Sequence, residues 1–126
     1  MIKPDSVERG LTGEIIKRFE NKGLDIKELK MLSLSQAKAA ELYAVHEGKP
    51  FFGDLVKFVT RGPVVVLKIE GNRAVQAVRS IMGATDPVEA ASGTIRGDFG
   101  LEISENLVHG SDSPENASKE LEIFFE

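Results

Sequence analysis

The stretch Arg61-Gly62-Pro63-Val64-Val65-Val66-Leu67-Lys68-Ile69 decides the fold of this chain. Gly62-Pro63 is a turn signal, and the β-branched apolar run that follows it predicts a strand. Because the run is continuous rather than alternating between apolar and polar residues, we expect a central strand covered on both faces. The rest of the chain must therefore supply neighbouring strands and two covering layers.

Upstream of this strand, the pattern predicts a helix, a second strand and two further helices. The first helix has Thr12 as a plausible N-cap and Gly23 just after its end. Residues 24–34 alternate loosely and predict a strand. Ser35 can cap a helix that runs to about His46, and a second helical piece places Phe52, Leu55, Val56 and Val59 on one side.

Downstream, the pattern predicts a helix capped by Asn72 and ended by Gly83, then an irregular segment over residues 84–100. Loops of that length inside a compact domain are usually functional. A short strand around Leu107-Val108 and a last helix starting at Ser113-Pro114 complete the order. If Met1–Lys3 is the truncated stub of a first strand, the chain follows the ferredoxin-like βαββαβ plan. We therefore predict an α/β fold, an α+β sandwich with an antiparallel sheet covered by helices.

Composition limits the function classes. The 126 residues predict a single domain over 1–126, and the absence of cysteine excludes disulfides, thiolate metal sites and cysteine nucleophiles. The longest apolar run has only four residues and no signal-peptide pattern opens the chain, so we expect no membrane association and a cytoplasmic location. A net charge of −4 argues against nucleic acid as the main partner.

His109 is the first candidate for chemistry. It follows a predicted strand and precedes Gly110-Ser111-Asp112 and a helix N-terminus, which is a natural place for a phosphate. An imidazole there could attack phosphorus and hold the transferred group as an N–P bond. Glu120, 11 residues later, could bond one ring nitrogen and leave the other as the nucleophile. The alternative is a histidine that merely ends its strand by local hydrogen bonding, and for His46 we expect a structural role at a helix end.

A phosphate substrate also needs cations, and the chain has no P-loop motif to supply backbone contacts. Arg79, Thr85 and Arg96 all flank the long irregular segment and could hold phosphate oxygens. The alternative for each arginine is a solvated surface charge. Phe51 could stack on a nucleobase or could pack into the core, as we expect for Phe52.

The acidic residues Asp98, Asp112 and Glu120 do not have the spacing of a metal cage. We therefore expect no protein metal site. Mg²⁺ would arrive already bound to the phosphates of the substrate and would keep most of its waters.

Several motifs resemble one known family. Asn106-Leu107-Val108-His109-Gly110-Ser111-Asp112 matches the N-x-x-H-[GA]-S-D signature of nucleoside diphosphate kinases. The resemblance extends over nearly the whole chain, through residues 2–5, 9–16, 49–52, 61–64, 83–87 and 93–99. The first strand is shorter than in relatives, and Ser92 stands where many of them have proline.

The resemblance implies transfer of a γ-phosphoryl group from a nucleoside triphosphate to a nucleoside diphosphate, by a ping-pong mechanism through a phosphohistidine at His109. It implies that Ser111 and Glu120 support this histidine and that Phe51 stacks on the base with little discrimination. It also implies homo-oligomers, either hexamers or tetramers. The residues that it implies for contacts with phosphates or ribose hydroxyls are Lys3, Tyr43, Arg79, Thr85, Arg96 and Asn106. The alternative is a non-catalytic nucleotide-binding or interaction module of the same fold.

Overall fold

The computed structural model describes residues 1–125, in which seven helices surround a small antiparallel sheet. The elements in chain order are α1 (Pro4–Glu8), α2 (Thr12–Asn21), β1 (Asp25–Leu32), α3 (Gln36–Leu42), α4 (Phe52–Val59), β2 (Val64–Glu70), α5 (Ala74–Met82), α6 (Ile95–Phe99) and α7 (Pro114–Phe125). Short 3₁₀ turns occupy Ala44–His46 and Ile103–Glu105.

The strand β2 is central, as the sequence predicts. It pairs with β1 along its whole length, in a register that opposes Val64 to Leu32 and Asp25 to Glu70. On its other side, Ile2 bridges antiparallel to Val65, and the same Ile2 bridges antiparallel to Val108. The order β1–β2–Ile2–Val108 is the antiparallel arrangement expected of the ferredoxin-like plan, with the first and last strands reduced to single bridging residues.

Both faces of β2 are buried, because successive side chains of a strand point to opposite sides. Val65 belongs to a core cluster with Ile15, Phe19 and Met82, which come from α2 and α5. Val64 and Val66 belong to a second cluster, whose other buried members are Leu34, Ala39, Leu42, Tyr43, Val59 and Phe124. The two-layer covering predicted from the apolar run is therefore confirmed.

Four local predictions are wrong. Thr12 is the first residue of α2 rather than its N-cap, and α3 ends at Leu42 instead of continuing to His46. Asn72 does not cap α5: the preceding position is Arg73 in a left-handed conformation, with no side-chain cap. The segment 84–100 is not wholly irregular, because it contains α6.

Three other predicted helix ends are confirmed. Ser35 Oγ accepts a hydrogen bond from Lys38 N at the start of α3, and Ser113 Oγ accepts one from Asn116 N at the start of α7. Gly23 follows α2 at a φ of 96°, where residues other than glycine are rarely found.

Candidate functional site

His109 is held by both its backbone and its ring. Its backbone N–H donates to Met1 O at 2.8 Å, which ties it to the segment that precedes α1. Its Nε2 lies 2.7 Å from Glu120 Oε1, and Ser111 Oγ donates to the same oxygen at 2.8 Å. Glu120 stands on α7, so the helix predicted from Ser113-Pro114 is what brings the carboxylate back to the imidazole.

The protonation of this pair follows from its surroundings. Burial opposes the charged form of Glu120, but the hydrogen bonds from His109 and Ser111 outweigh it and hold the pKa of Glu120 below its usual value. An ionised Glu120 accepts, so Nε2 carries the proton and Nδ1 keeps the lone pair. Burial, which outweighs the opposing effect of Glu120, also lowers the pKa of His109, so the ring is neutral near pH 7. Within residues 1–125, Nδ1 has no hydrogen-bond partner, and the ring is therefore set up as a nucleophile.

Lys3 and Asn106 form the second part of the site. Lys3 Nζ donates to Asn106 Oδ1 at 2.8 Å, and Asn106 Nδ2 donates to the backbone oxygen of Thr85 at 3.0 Å. Lys3 is only 7% exposed, and burial lowers its pKa to about 8, with Arg96 contributing in the same direction. An ammonium group therefore lies at the floor of the site, and the presence of its charge depends on pH.

Arg96 lies on α6 and is buried rather than solvated, which decides between the two alternatives left by the sequence. Its Nε donates to Asn106 O, its Nη1 to Gly83 O and its Nη2 to Val108 O, at 3.1, 3.0 and 2.7 Å. These bonds use three of the five N–H groups of the guanidinium and leave two. Burial, followed by the charge of Arg79, lowers the pKa of Arg96 to about 10, so it stays protonated at neutral pH.

Arg79, by contrast, is exposed and makes one hydrogen bond, from Nη1 to the backbone oxygen of Gly110 at 3.2 Å. Because Gly110 directly follows His109, this contact places the second arginine next to the histidine. Both arginines therefore lie at the site. Arg96 is held by three backbone carbonyls, and Arg79 is exposed and bonded to one. Thr85 is linked to Arg96 through Asn106, whose Nδ2 donates to Thr85 O and whose backbone oxygen accepts from Arg96 Nε.

A row of rings leads from His109 to Phe51. The edge of Tyr43 meets His109 with ring centroids 5.5 Å apart, Tyr43 stacks on His46 at 6.4 Å, and His46 lies 5.1 Å from Phe51. Phe51 is 48% exposed, unlike the better-buried Phe52, so the core alternative for Phe51 is wrong. Tyr43 is buried and its hydroxyl has no partner within residues 1–125, which leaves it available to a ligand. Burial raises the pKa of Tyr43, so this hydroxyl is a neutral donor.

The sequence missed two features of the site. Lys49 Nζ lies 3.2 Å from His46 Nδ1 and within 5.8 Å of the Phe51 ring centroid, so His46 is part of the row of rings. Leu107 has a φ of 78°, although it is not glycine. A sequence signal that could have pointed to Leu107 is the Lys-Pro-Asp run of residues 3–5, whose Asp5 bonds the backbone N–H of Leu107.

Neither a metal cage nor a membrane helix is found in the described part of the chain. No group of three or more metal-ligating side chains lies together among residues 1–125. In the same residues, every helix is too short or too polar to cross a bilayer.

A neutral imidazole with one fixed nitrogen, surrounded by a lysine, two arginines and an unpaired tyrosine hydroxyl, defines a histidine-dependent phosphotransferase on an α+β sandwich. Comparison with known proteins gives the family. The family model described as nucleoside diphosphate kinase matches residues 1–126. The chain therefore belongs to the nucleoside diphosphate kinase family.

Individual relatives agree. The chain is 58% identical to a nucleoside diphosphate kinase of Rubrobacter xylanophilus, over 99% of this chain and 94% of that protein. It is 56% identical to one from Staphylothermus marinus, over 99% and 89% of the two chains. Among solved structures, it resembles a nucleoside diphosphate kinase of Halobacterium salinarum in complex with CDP, with a TM-score of 0.96, 47% identity and coverage of 99% and 84%. A family member from Babesia bovis gives a TM-score of 0.95, with 47% identity and coverage of 98% and 84%.

The activity follows from the family. The chain is an enzyme that transfers the γ-phosphoryl group of a nucleoside triphosphate to a nucleoside diphosphate, by a ping-pong mechanism through a phosphohistidine. The alternative of a non-catalytic module receives no support from these comparisons.

Proposed function

We propose that His109 Nδ1 is the atom that carries the phosphoryl group between the two nucleotides. The observation that supports it most directly is the 2.7 Å contact of Nε2 with Glu120, which leaves Nδ1 as the unprotonated nitrogen. His46, the other histidine of the chain, has its Nδ1 3.2 Å from Lys49 Nζ and lies against Phe51, away from the Glu120 and Ser111 side chains that orient His109.

The reaction proceeds in two steps. In the first, the lone pair of Nδ1 forms a bond to the γ-phosphorus, the bond from phosphorus to the bridging oxygen breaks, and the nucleoside diphosphate leaves with that electron pair. In the second, a terminal oxygen of another diphosphate forms a bond to the phosphorus, the N–P bond breaks, and its electron pair returns to Nδ1. Because the group rests on the protein between the steps, one cleft serves donor and acceptor in turn.

The surrounding side chains supply charge and position, which is most of what a loose phosphoryl-transfer transition state requires. We assign Lys3, Arg79 and the two free N–H groups of Arg96 to the phosphate oxygens. Asn106, Thr85 and Tyr43 would bind phosphates or ribose hydroxyls. Glu120 and Ser111 hold the imidazole in its reactive tautomer.

Phe51 is assigned to the base. Its exposed face ends the row of rings that begins at His109, and stacking on a ring face distinguishes little between bases. This position supports activity toward several nucleotides.

Mg²⁺ would be carried by the nucleotide. The carboxylate of Glu120 is engaged by His109 and Ser111, whereas Asp112 is exposed, shares a groove with Arg79 and accepts a hydrogen bond from Asn116 Nδ2 at Oδ1. This donor set suits an ion that keeps its phosphate oxygens and waters, with Asp112 available to that water shell. When bound, the ion neutralises charge on the phosphates.

We propose that residues 1–126 form one domain, supported by a family match over that length. We propose a homo-oligomer, a hexamer or a tetramer, supported by apolar side chains exposed on β1, a strand paired on one side only among the described residues. A cytoplasmic location is supported by the substrates, which are charged nucleotides.

The carrier role of His109 can be tested by incubating the enzyme with ATP labelled at its γ-phosphate. We expect a protein phosphate that is labile to acid and stable to base, located by mass spectrometry at His109. His109→Ala should lose both this phosphate and the transfer of phosphate from GTP to ADP, while still binding ADP.

The matched control is His46→Ala, which should still become labelled. A label on any other residue, or its persistence in His109→Ala, would refute the assignment.

A further inference from the structure

Leu107 has a backbone conformation that costs free energy. Its φ of 78° lies in the left-handed region, and its side chain is 0% exposed. A residue with a β-carbon loses about 1–2 kcal/mol in that region. A backbone hydrogen bond across the residue, from Val108 N to Asn106 O at 2.9 Å, and the neighbouring groups together hold it in place.

Both backbone polar groups of Leu107 are held by the segment that starts α1. Leu107 N donates to Asp5 Oδ2 at 3.1 Å. Leu107 O accepts from Ser6 Oγ at 2.8 Å and from the backbone N–H of Lys3 at 2.9 Å. Asp5 and Ser6 are 3% and 0% exposed, so water does not compete for these bonds.

Leu107 lies between two parts of the site. Asn106, directly before it, accepts from Lys3 Nζ, and His109 follows two residues later. Arg96 holds the carbonyls on either side, those of Asn106 and Val108, but not that of Leu107. A rotation at Leu107 would therefore turn Asn106 and Lys3 relative to the imidazole.

We propose that Asp5 and Ser6 are positioning residues for phosphoryl transfer, which hold Leu107 in its left-handed conformation and thereby align Lys3 and Asn106 with His109. This rests on the proposed roles of those three residues. Asp5 touches neither the imidazole nor Lys3 Nζ by a hydrogen bond, so it acts through the backbone of Leu107.

A second way for Asp5 to act is through its charge. Its carboxylate favours the protonated form of Lys3, against the burial that lowers the pKa of that lysine. Asp5→Asn separates the two effects, because the amide oxygen can still accept from Leu107 N while the charge is gone. Asp5→Ala removes both.

The test measures the rate of His109 phosphorylation by ATP in a single turnover, together with the dissociation constant of ADP. In Asp5→Ala we expect the rate to fall about tenfold to a hundredfold, a larger factor than the loss of ADP affinity, because misplacement of about 1 Å affects the transition state most. Asp5→Asn should recover most of that rate. Ser6→Ala should slow the reaction by a smaller factor, because Lys3 N still bonds Leu107 O.

Two results would overturn the proposal. One is an equal loss in Asp5→Asn and Asp5→Ala, which would assign the effect to charge. The other is an unchanged rate in Ser6→Ala together with an unchanged rate in a folded Asp5→Ala. If Asp5→Ala does not fold, Ser6→Ala and Asp5→Asn decide: the proposal requires the first to be slowed and the second to stay near the parent rate. The unmodified enzyme is measured alongside, and a failure of that enzyme to become phosphorylated would contradict the proposed function instead.

Discussion

Lys3 shows how burial and chemistry oppose each other at a single residue. The site needs an ammonium group to bind phosphate, yet burial favours the neutral amine and lowers its pKa to about 8. The neighbouring Arg96 adds to this effect, and Asp5 counteracts it. The charge of Lys3 is therefore present at neutral pH and is lost in mildly alkaline solution.

We predict that ADP binds more weakly as the pH rises through about 8. Loss of one charge-assisted hydrogen bond, about 1.5–3 kcal/mol, corresponds to roughly tenfold or more in the dissociation constant. Calorimetric titrations from about pH 7 to about pH 9.5 measure the dissociation constant of ADP across this change. Lys3→Gln is the control, because its weaker binding should lack this pH dependence. A constant ADP affinity in the parent enzyme across that range would contradict the prediction.

Glu120 should affect the pH below which the reaction slows, because it acts on the pKa of His109. His109 must be neutral to attack, so the rate falls as the pH drops through its pKa, which burial places below the usual value of about 6.5. The hydrogen bond from His109 Nε2 to Glu120 opposes that lowering. Glu120→Gln should therefore shift the acid limb of kcat/KM to lower pH, and lower the rate at neutral pH about tenfold to a hundredfold because the ring is less well oriented.

Ser111→Ala is the matched variant, since it removes the other hydrogen bond to Glu120 Oε1 and keeps the carboxylate. It should leave the acid limb much closer to that of the parent enzyme. A shift of the limb to higher pH in Glu120→Gln would mean that Glu120 does not stabilise the imidazolium form.

The residues of the site were predictable to different degrees. His109 and Glu120 could be paired because an 11-residue separation across a strand end and a helix allows them to meet. The buried state of Arg96 could not be predicted, because its partners are backbone carbonyls, which carry no residue-type signal. The left-handed conformation of Leu107 was equally hidden, because leucine gives no sign of positive φ.

At the scale of elements, α6 is one of the two helices that the sequence failed to predict. Its five residues are too short to show an apolar period, and Gly97 lies in the middle. Thr94 starts it in two ways: Oγ1 accepts from Gly97 N at 3.0 Å and donates to Ala91 O at 2.6 Å. Since α6 carries Arg96, this cap holds an arginine of the site.

We predict that Thr94→Ala destabilises the enzyme by about 0.5–2 kcal/mol, the usual cost of losing an N-cap. Urea unfolding at matched protein concentration measures the change as a lower midpoint. Thr94→Ser keeps the hydroxyl, so its free energy of unfolding should fall by only a small part of that amount. Equal midpoints for the alanine variant and the parent enzyme would show that the cap contributes nothing.

Longer elements were predicted well because their signals repeat. The strand β2 has an unbroken β-branched run, and α7 has Ser113-Pro114 at its start. The helix α1 was missed because it has five residues and begins at a proline. The position of Arg73 as the residue before α5 was missed because no capping side chain marks the start of that helix.

At the scale of the molecule, β1 leaves apolar surface exposed. Leu29 and Met31 are 48% and 58% exposed and lie on one face of the strand, two residues apart. Within residues 1–125, β1 pairs only with β2. An exposed apolar edge strand favours pairing with another chain, and in the proposed homo-oligomer that chain is a second copy.

We predict that Leu29→Glu and Met31→Glu reduce the mass measured by light scattering, because a charge would be buried where two copies meet. Ser118→Glu adds the same charge to an exposed position on α7 and should leave the mass unchanged. If all three variants keep the parent mass, the oligomer does not form through this strand.

The hydrogen bond between Lys3 and Asn106 joins residues 103 positions apart, and Glu120 lies later still. During synthesis on a ribosome, the first half of the site is therefore made long before its second half. A nascent polypeptide interrupted before residue 106 would hold Lys3 without Asn106 and His109, and one interrupted before α7 would hold His109 without Glu120. Efficient phosphate transfer can therefore begin only after α7 has been synthesised, because that helix carries the carboxylate that orients the imidazole.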